Sequence, residues 1–357
     1  MTKMPRAAVE EMARLADWAP DTRVVPAPTA AGGRTLFVGD VHGCLAELRA
    51  LLAAAAFDPD RGDVVVLVGD LVGKGPDSLG VLDFAMGLAA RGACHCILGN
   101  WDWALLRWRA ALDNAAARAK NDHDTAAAAG GGGDATKPAS PTGEAAGMRR
   151  KNRDFYDVVV AATPAQLAFV ASWPAALIFP HLGVAAVHAG VNPYAFDAAG
   201  TAALLRPERG DAGQIAAIER AVAATGAFDV LHLRHACDRR RAVNTGMADD
   251  DDETTTVPWA ARLPAALRYT FVFGHDQPRG LQDRRRRHHG PDAGRAAVHG
   301  GVGPATTGGG GADAPCGPSL GLDTGCCAGG RLTGWLLPAD VLVSVPGPAT
   351  PPAAPKL

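Results

Sequence analysis

Short, nearly continuous apolar runs recur along the chain, and the first three close on glycine followed by a polar residue. Thr35–Val38, Val64–Val68 and Ala93–Leu98 have the length and β-branched content of buried strands. Helical spacing comes after each of them, at Leu45–Ala56, Ser78–Ala90 and from Trp103 to Ala111. A helix at Pro164–Ser172 precedes a strand at Gly183–Val187, and further strands are predicted at Tyr269–Phe273, Leu320–Asp323, Arg331–Leu337 and Val341–Val345. A βαβαβ opening and a strand-rich second half predict a layered α/β fold.

Three stretches break the pattern. Residues 113–147 contain no Val, Ile, Leu, Met or aromatic side chain, so they bury too little apolar surface to offset their ordering entropy. Residues 245–256 carry the acidic block Asp249–Asp252 with Glu253, and residues 278–318 combine many Gly and Pro with the basic run Arg284–Arg287. These read as disordered loop insertions. Setting them aside with both ends of the chain leaves about 220 residues, the size of one domain.

Composition narrows the class. Among 357 residues, 35 Lys+Arg stand against 37 Asp+Glu, a net charge of −2. That balance argues against a stable nucleic-acid partner. No apolar run is long enough to span a membrane, and the N-terminus lacks the apolar core of a signal peptide. Seven Cys without repeated spacing predict a reducing, cytoplasmic setting and no disulfide framework. Cys94 and Cys96 alternate on a strand, so they share one face as packing residues while His95 takes the other.

The chemistry is concentrated at the ends of the strands. The first ends in Gly39-Asp40-Val41-His42-Gly43, the second in Gly69-Asp70-Leu71-Val72-Gly73-Lys74-Gly75, and the third in Gly99-Asn100-Trp101-Asp102. Later strands end in His188-Ala189-Gly190 and Gly274-His275-Asp276. The carboxyl ends of strands in an open α/β sheet line the ligand crevice. Asp40, His42, Asp70, Asn100, His188 and His275 are oxygen and nitrogen donors suited to Mn, Fe, Zn or Mg. Two such ions sharing one carboxylate form a clamp that binds phosphate oxygens and delivers hydroxide.

These boxes, with Val187-His188-Ala189-Gly190, Arg279-Gly280-Leu281-Gln282 and Gly321-Leu322-Asp323-Thr324-Gly325-Cys326, resemble the calcineurin-like metallophosphoesterases of the phosphoprotein phosphatase family, and within it the ApaH-like phosphatase branch. The resemblance implies an α/β fold built as a two-sheet β-sandwich flanked by α-helices. It implies one phosphoesterase domain over residues 34–345, with an N-terminal extension (1–33) and a Pro-rich tail (346–357). It implies two divalent metal ions. Asp40 and His42 would bind the first, Asp70 would bridge, and Asn100, His188 and His275 would bind the second. Lys74 stands where the family places a phosphate-binding cation, and Arg234 is a second candidate for that role.

The pattern departs from the family at the proton donor. The His expected after Asn100 is Trp101, and the Asp expected as its partner is Gly73. Indole donates a hydrogen bond but no proton of useful acidity. Asp102, or a metal-bound water, is left as an alternative donor. General acid catalysis is worth roughly 10²–10⁴-fold, and poor leaving groups need it most. A phosphate leaving group, with a second pKa of about 6, needs little protonation. The reading is therefore a metal-dependent phosphohydrolase that prefers phosphoanhydrides: dinucleoside polyphosphates, polyphosphate or an RNA cap. A protein Ser/Thr phosphatase acting on a phosphoprotein, and a weak pseudophosphatase that binds metal and phosphate, remain alternatives. Trp101, Trp103 and Trp108 beside the third box are read as core, with a nucleobase wall as the other possibility.

Overall fold

A computed structural model of the chain describes residues 19–27, 32–128, 147, 152–237, 241–243, 256–285 and 316–349. The described residues form two compact units, one from residues 32–174 and 325–349, the other from 19–27 and 175–324.

The first unit is built on a five-stranded sheet in the order Val341–Pro346, Arg331–Leu337, Thr35–Val38, Val64–Leu67, Cys94–Cys96. The last three strands run parallel in direct register, Thr35 opposite Val64 and Val65 opposite Cys94. Parallel pairing needs crossovers, and helices Leu45–Ala54 and Ser78–Ala90 supply them. All four residues of Thr35–Val38 are buried, which explains their unbroken apolar run. Arg331–Leu337 pairs antiparallel with Thr35–Val38 on the other side, Trp335 opposite Phe37. Cys94 and Cys96 are buried on one face with Sγ atoms 3.7 Å apart, and His95 is only partly buried.

Helix starts coincide with their caps. Asp77 accepts the amide of Gly80 ahead of Ser78–Ala90. Thr163 and Gln166 form a reciprocal capping box ahead of Pro164–Ala171, with Pro164 at the first helical position. The third helix differs from its prediction at both ends. It begins at Asn100 and runs to Ala128, well into the segment read as a low-complexity insertion. From Asp113 to Asn121 nearly every residue is exposed. Alanine is the strongest helix former, so this stretch holds a solvated helix without an apolar face.

The second unit holds a six-stranded sheet in the order Thr22–Val24, Ala176–Phe179, Val184–Val187, Thr270–Phe273, Ser319–Gly321, Gln282–Asp283. A small antiparallel sheet joins Arg241–Val243, His235–Cys237 and Thr256–Pro258. Thr22–Val24 comes from the stretch read as a peripheral extension. It is an edge strand with two exposed residues, so it lacks an apolar signature. Gln282–Asp283 lies inside the stretch read as the third insertion and pairs antiparallel with Ser319–Gly321. Residues 129–146, 245–255 and 286–315 of the three insertions lie outside the described residues, as do 1–18 and 350–357. Among the described residues no helix is long and apolar enough to cross a membrane.

One ionic clip fixes the start of two central strands. Asp63 is 2 % exposed and accepts the Arg34 amide, the Arg34 guanidinium and, at 3.0 Å, the Asp58 amide. Burial pushes the Asp63 carboxyl up, but the Arg34 guanidinium and the amide donors outweigh it and hold it below the usual carboxylate range. A depressed carboxylate stabilises the fold above its unfolded pKa of about 3.9, and the contribution is lost as pH falls through the folded value. Asp63→Asn is expected to cost about 2–3 kcal/mol at pH 7. In urea titrations the gap from wild type should stay constant above about pH 5 and close below about pH 4.

Candidate metal centre

Three loops at the carboxyl ends of Thr35–Val38, Val64–Leu67 and Cys94–Cys96 carry the first candidate ligands. Asp40, His42 and Asp70 are all buried, and one ligand atom from each lies within 4.8 Å of the others. The imidazole Nε2 of His42 is 3.4 Å from Asp70 Oδ2 and 3.7 Å from Asp40 Oδ2. On the other side of the ring, His42 Nδ1 lies 3.0 Å from the Val72 carbonyl oxygen. A carbonyl only accepts, so Nδ1 carries the proton and Nε2 turns its lone pair toward the two carboxylates. Lone pairs facing each other at these distances call for positive charge among them; the Lys74 ammonium, 2.7 Å from Nε2, supplies it in this structure, and a divalent metal bound at Nε2 would take its place on that lone pair. The donor set therefore fits a divalent metal, and the Nδ1–H to carbonyl bond is the outer contact that metal-binding histidines use to fix their tautomer.

The loops are held in costly conformations. His42, Asp70 and Lys74 have φ of +46°, +53° and +60°, the left-handed region that side chains other than Gly rarely adopt. Hydrogen bonds impose it. The amides of Val41 and His42 both donate to the Asp70 carbonyl, at 3.2 and 2.8 Å, and Gly43 donates to Leu71. Asp102 is fully buried and accepts four amides: Asp70 (2.8 Å) and Gly99 (3.0 Å) on Oδ2, Leu71 (2.9 Å) and Val72 (3.2 Å) on Oδ1. Asp70 Oδ1 in turn accepts the Trp101 amide at 2.8 Å. Gly99 has to be glycine, because a Cβ there would lie 2.2 Å from the Asp70 nitrogen.

This corrects the expectation for Asp102. Both its oxygens are committed to backbone amides, so it aims no proton at a substrate and serves as a positioning residue. Burial, and behind it the Asp70 charge, push its carboxyl up, while the amide donors on both oxygens act in the opposite direction and favour the carboxylate form. Asn100 is the first residue of the long helix, next to the Trp101 amide that Asp70 binds. Lys74 places Nζ 2.7 Å from His42 Nε2 and 5.1 Å from the centre of the Trp101 ring. The tryptophans are mainly core. Trp101 and Trp103 are 9 % and 4 % exposed, and Phe155 packs edge-on against both Trp101 and Trp108.

In the second unit, His188 is fully buried and His275 nearly so, their ring centres 5.2 Å apart. His275 is also left-handed, at φ +64°. Arg234 donates to the His275 carbonyl at 3.1 Å, and its buried Nε has no hydrogen-bond partner. Arg279 bonds both Asp276 and His235, and Gln282 also donates to Asp276, so the turn after His275 is braced on three sides. His232, which motif reading did not single out, has its ring centre 6.0 Å from that of His275 and stacks on Phe228. Burial lowers its pKa to about 4, so it is neutral at pH 7. Only its place in the run Val230-Leu231-His232-Leu233-Arg234-His235 hinted at it. Of the basic run, Arg285 pairs with Asp283 at 2.7 Å, and residues from 286 onward lie outside the described residues.

Parts of the chain are similar to known proteins. Residues 33–161 match the calcineurin-like phosphoesterase family. A relative named symmetrical bis(5'-nucleosyl)-tetraphosphatase, from Pectobacterium carotovorum subsp. carotovorum (strain PC1), is 54 % identical over 72 residues, which is 20 % of this chain and 25 % of that protein. A protein of the same name from Photorhabdus laumondii subsp. laumondii is 46 % identical over 88 residues, 25 % of this chain and 31 % of that one. The chain thus matches between a quarter and a third of the length of these relatives. A crystal structure described as a candidate diadenosine tetraphosphatase aligns over 93 % of this chain and 100 % of its own, with a TM-score of 0.56 at 24 % identity, which shows the fold. The family match covers 129 of the 357 residues, and over that stretch the chain is similar to the calcineurin-like phosphoesterases. Its mixed α/β architecture is the metallophosphoesterase fold.

Replacing Asp102 with Asn turns an amide donor toward amides that already donate. We expect Asp102→Asn to weaken Mn²⁺ binding about 10–100-fold, the usual cost of losing an outer contact. Isothermal titration of the metal-stripped chain checks this. Unchanged affinity would show that the loops hold their shape without it.

Proposed function

We propose that this protein is a dinuclear-metal-dependent phosphohydrolase that cleaves phosphoanhydrides. Dinucleoside polyphosphates are the first substrate class, with polyphosphate and RNA caps behind them. The observation that carries the reading is the buried Asp40–His42–Asp70 donor set, with the His42 lone pair aimed at two carboxylates. Asp40 and His42 would hold one ion, Asp70 would bridge, and Asn100, His188 and His275 would hold the other. Mn, Fe, Zn and Mg all suit these donors. When bound, such ions supply charge to phosphate oxygens and activate water for attack. The names of the relatives support a substrate with a polyphosphate chain.

The chain's own residues set the rest of the chemistry. Lys74 brings an ammonium beside the first ligand group, where it would stabilise charge on the transferring phosphoryl group. Arg234 would add a second cation beside His275. Trp101 and Gly73 provide no proton, and Asp102 is closed off by amides. A leaving group that needs a proton is therefore disfavoured, and a phosphate that leaves as an anion is not.

Turnover of diadenosine tetraphosphate, polyphosphate, capped RNA, a phosphopeptide and p-nitrophenyl phosphate by the Mn²⁺-loaded chain tests this. The expected kcat/KM for an anhydride exceeds that for the phosphopeptide by about 10²-fold or more. A phosphopeptide cleaved as fast would overturn the anhydride preference. Bound metal with no turnover on any of them would instead make the protein a pseudophosphatase. Chelation should abolish activity, and Lys74→Ala should lower kcat/KM by about 10²-fold.

A further inference from the structure

Trp101 stands where a proton donor is expected, yet its contacts describe a different task. Gly73 lies against the indole. A Cβ on Gly73 would come 2.4 Å from Trp101 Cε3, 2.9 Å from Cδ2 and 3.0 Å from Cζ3. The ring thus fills the space a side chain at 73 would need. Gly73 and Lys74 are both left-handed, at φ +84° and +60°. The Lys74 ammonium lies 5.1 Å from the centre of that same ring and 2.7 Å from His42 Nε2. Phe155 braces the indole edge-on at 5.1 Å, and the His42 ring meets it nearly perpendicular at 5.9 Å.

We infer that Trp101 is a positioning residue: its indole seats the Lys74 ammonium beside the Asp40–His42–Asp70 cluster, and the bare Gly73 makes room for that seat. Lysine is a point charge on a long flexible stem, so its head stays in one place only if something holds it. Tryptophan offers the best aromatic face for a cation. An imidazole at 101 could not do this, because its protonated form repels an ammonium. The exchange of acid for indole is thereby a gain of fixed positive charge as well as a loss of a proton. The inference rests on the phosphohydrolase reading only in that the seated ammonium would meet a phosphate oxygen.

Two measurements on the full chain test it. After reductive ¹³C-dimethylation of lysines, the Lys74 methyl resonance, assigned by its loss in Lys74→Arg, should be shifted upfield by the ring. It should stay shifted in Trp101→Phe and move to the position of solvated lysines in Trp101→Leu. Inorganic phosphate binding to the Mn²⁺-loaded chain should weaken about 3- to 30-fold in Trp101→Leu, the range of a cation–π contact. Mn²⁺ affinity should not change, since Trp101 reaches Asp70 through its backbone amide. Should Trp101→Leu not fold, ring-fluorinated tryptophan drains the indole face without altering its shape. It should weaken phosphate binding in wild type and not in Trp101→Phe. A wild-type Lys74 resonance at the solvated position overturns the inference. So does equal phosphate affinity in wild type and Trp101→Leu, or equal response of wild type and Trp101→Phe to fluorination. Wild type that binds no phosphate at all would overturn the phosphohydrolase reading instead, and the methyl resonance would still decide the seat.

Discussion

Four backbone amides converge on the Asp102 carboxylate, and the first candidate ligand group depends on that convergence. The second loop gives three of them, Asp70, Leu71 and Val72, and the third loop gives Gly99. The first loop is joined in turn, because the Val41 and His42 amides bond the Asp70 carbonyl. One carboxylate therefore sets the shape of three loops from three strands. The arrangement supplies what a fully buried carboxylate needs, since only dense hydrogen bonding offsets its lost hydration. It also holds His42 and Asp70 in backbone conformations that they would leave if released.

Much of this was legible in the sequence. The buried strands announced themselves by unbroken apolar runs, and the ligand types stood at the strand ends because loops there are short. Ser78–Ala90 and Arg331–Leu337 fall on their predicted residues, since caps, spacing and turn residues agree. What escaped was set by tertiary contacts. Thr22–Val24 is half exposed and is a strand only through its neighbour Ala176–Phe179. From Asp113 to Asn121 the continuation is almost wholly exposed, so apolar patterning did not reveal its helix propensity. Asp102 looked like a chemical group because a carboxylate beside a ligand box could be one. Its four amide donors lie partly some thirty residues away in sequence, and no spacing rule reveals them.

Gly73 and Trp101 show the limit of reading substitutions singly. Each looks like the loss of half of a proton-transfer pair. In the structure they are complementary in volume, the absent side chain of one matched by the large ring of the other. Electrostatically the change replaces a group that would release a proton with a surface that favours a fixed cation. The His275 turn is treated with similar economy, as Arg279 bonds Asp276 and His235 Nε2 together while Arg234 bonds the His275 carbonyl.

The place of Arg331–Leu337 has a consequence for the order of events during synthesis. This strand sits between Val341–Pro346 and Thr35–Val38, so the strand that leads into Asp40 and His42 gains its second neighbour only after residues 331–337 have been made. Until then a growing chain presents the Leu36 and Val38 backbone as an open edge, ready to pair with another nascent copy. The candidate ligand residues Asp40 and His42 are thus among the last to be secured. A protein cut short before residue 331 would have every residue of the first ligand group and still lack half the pairing that supports them.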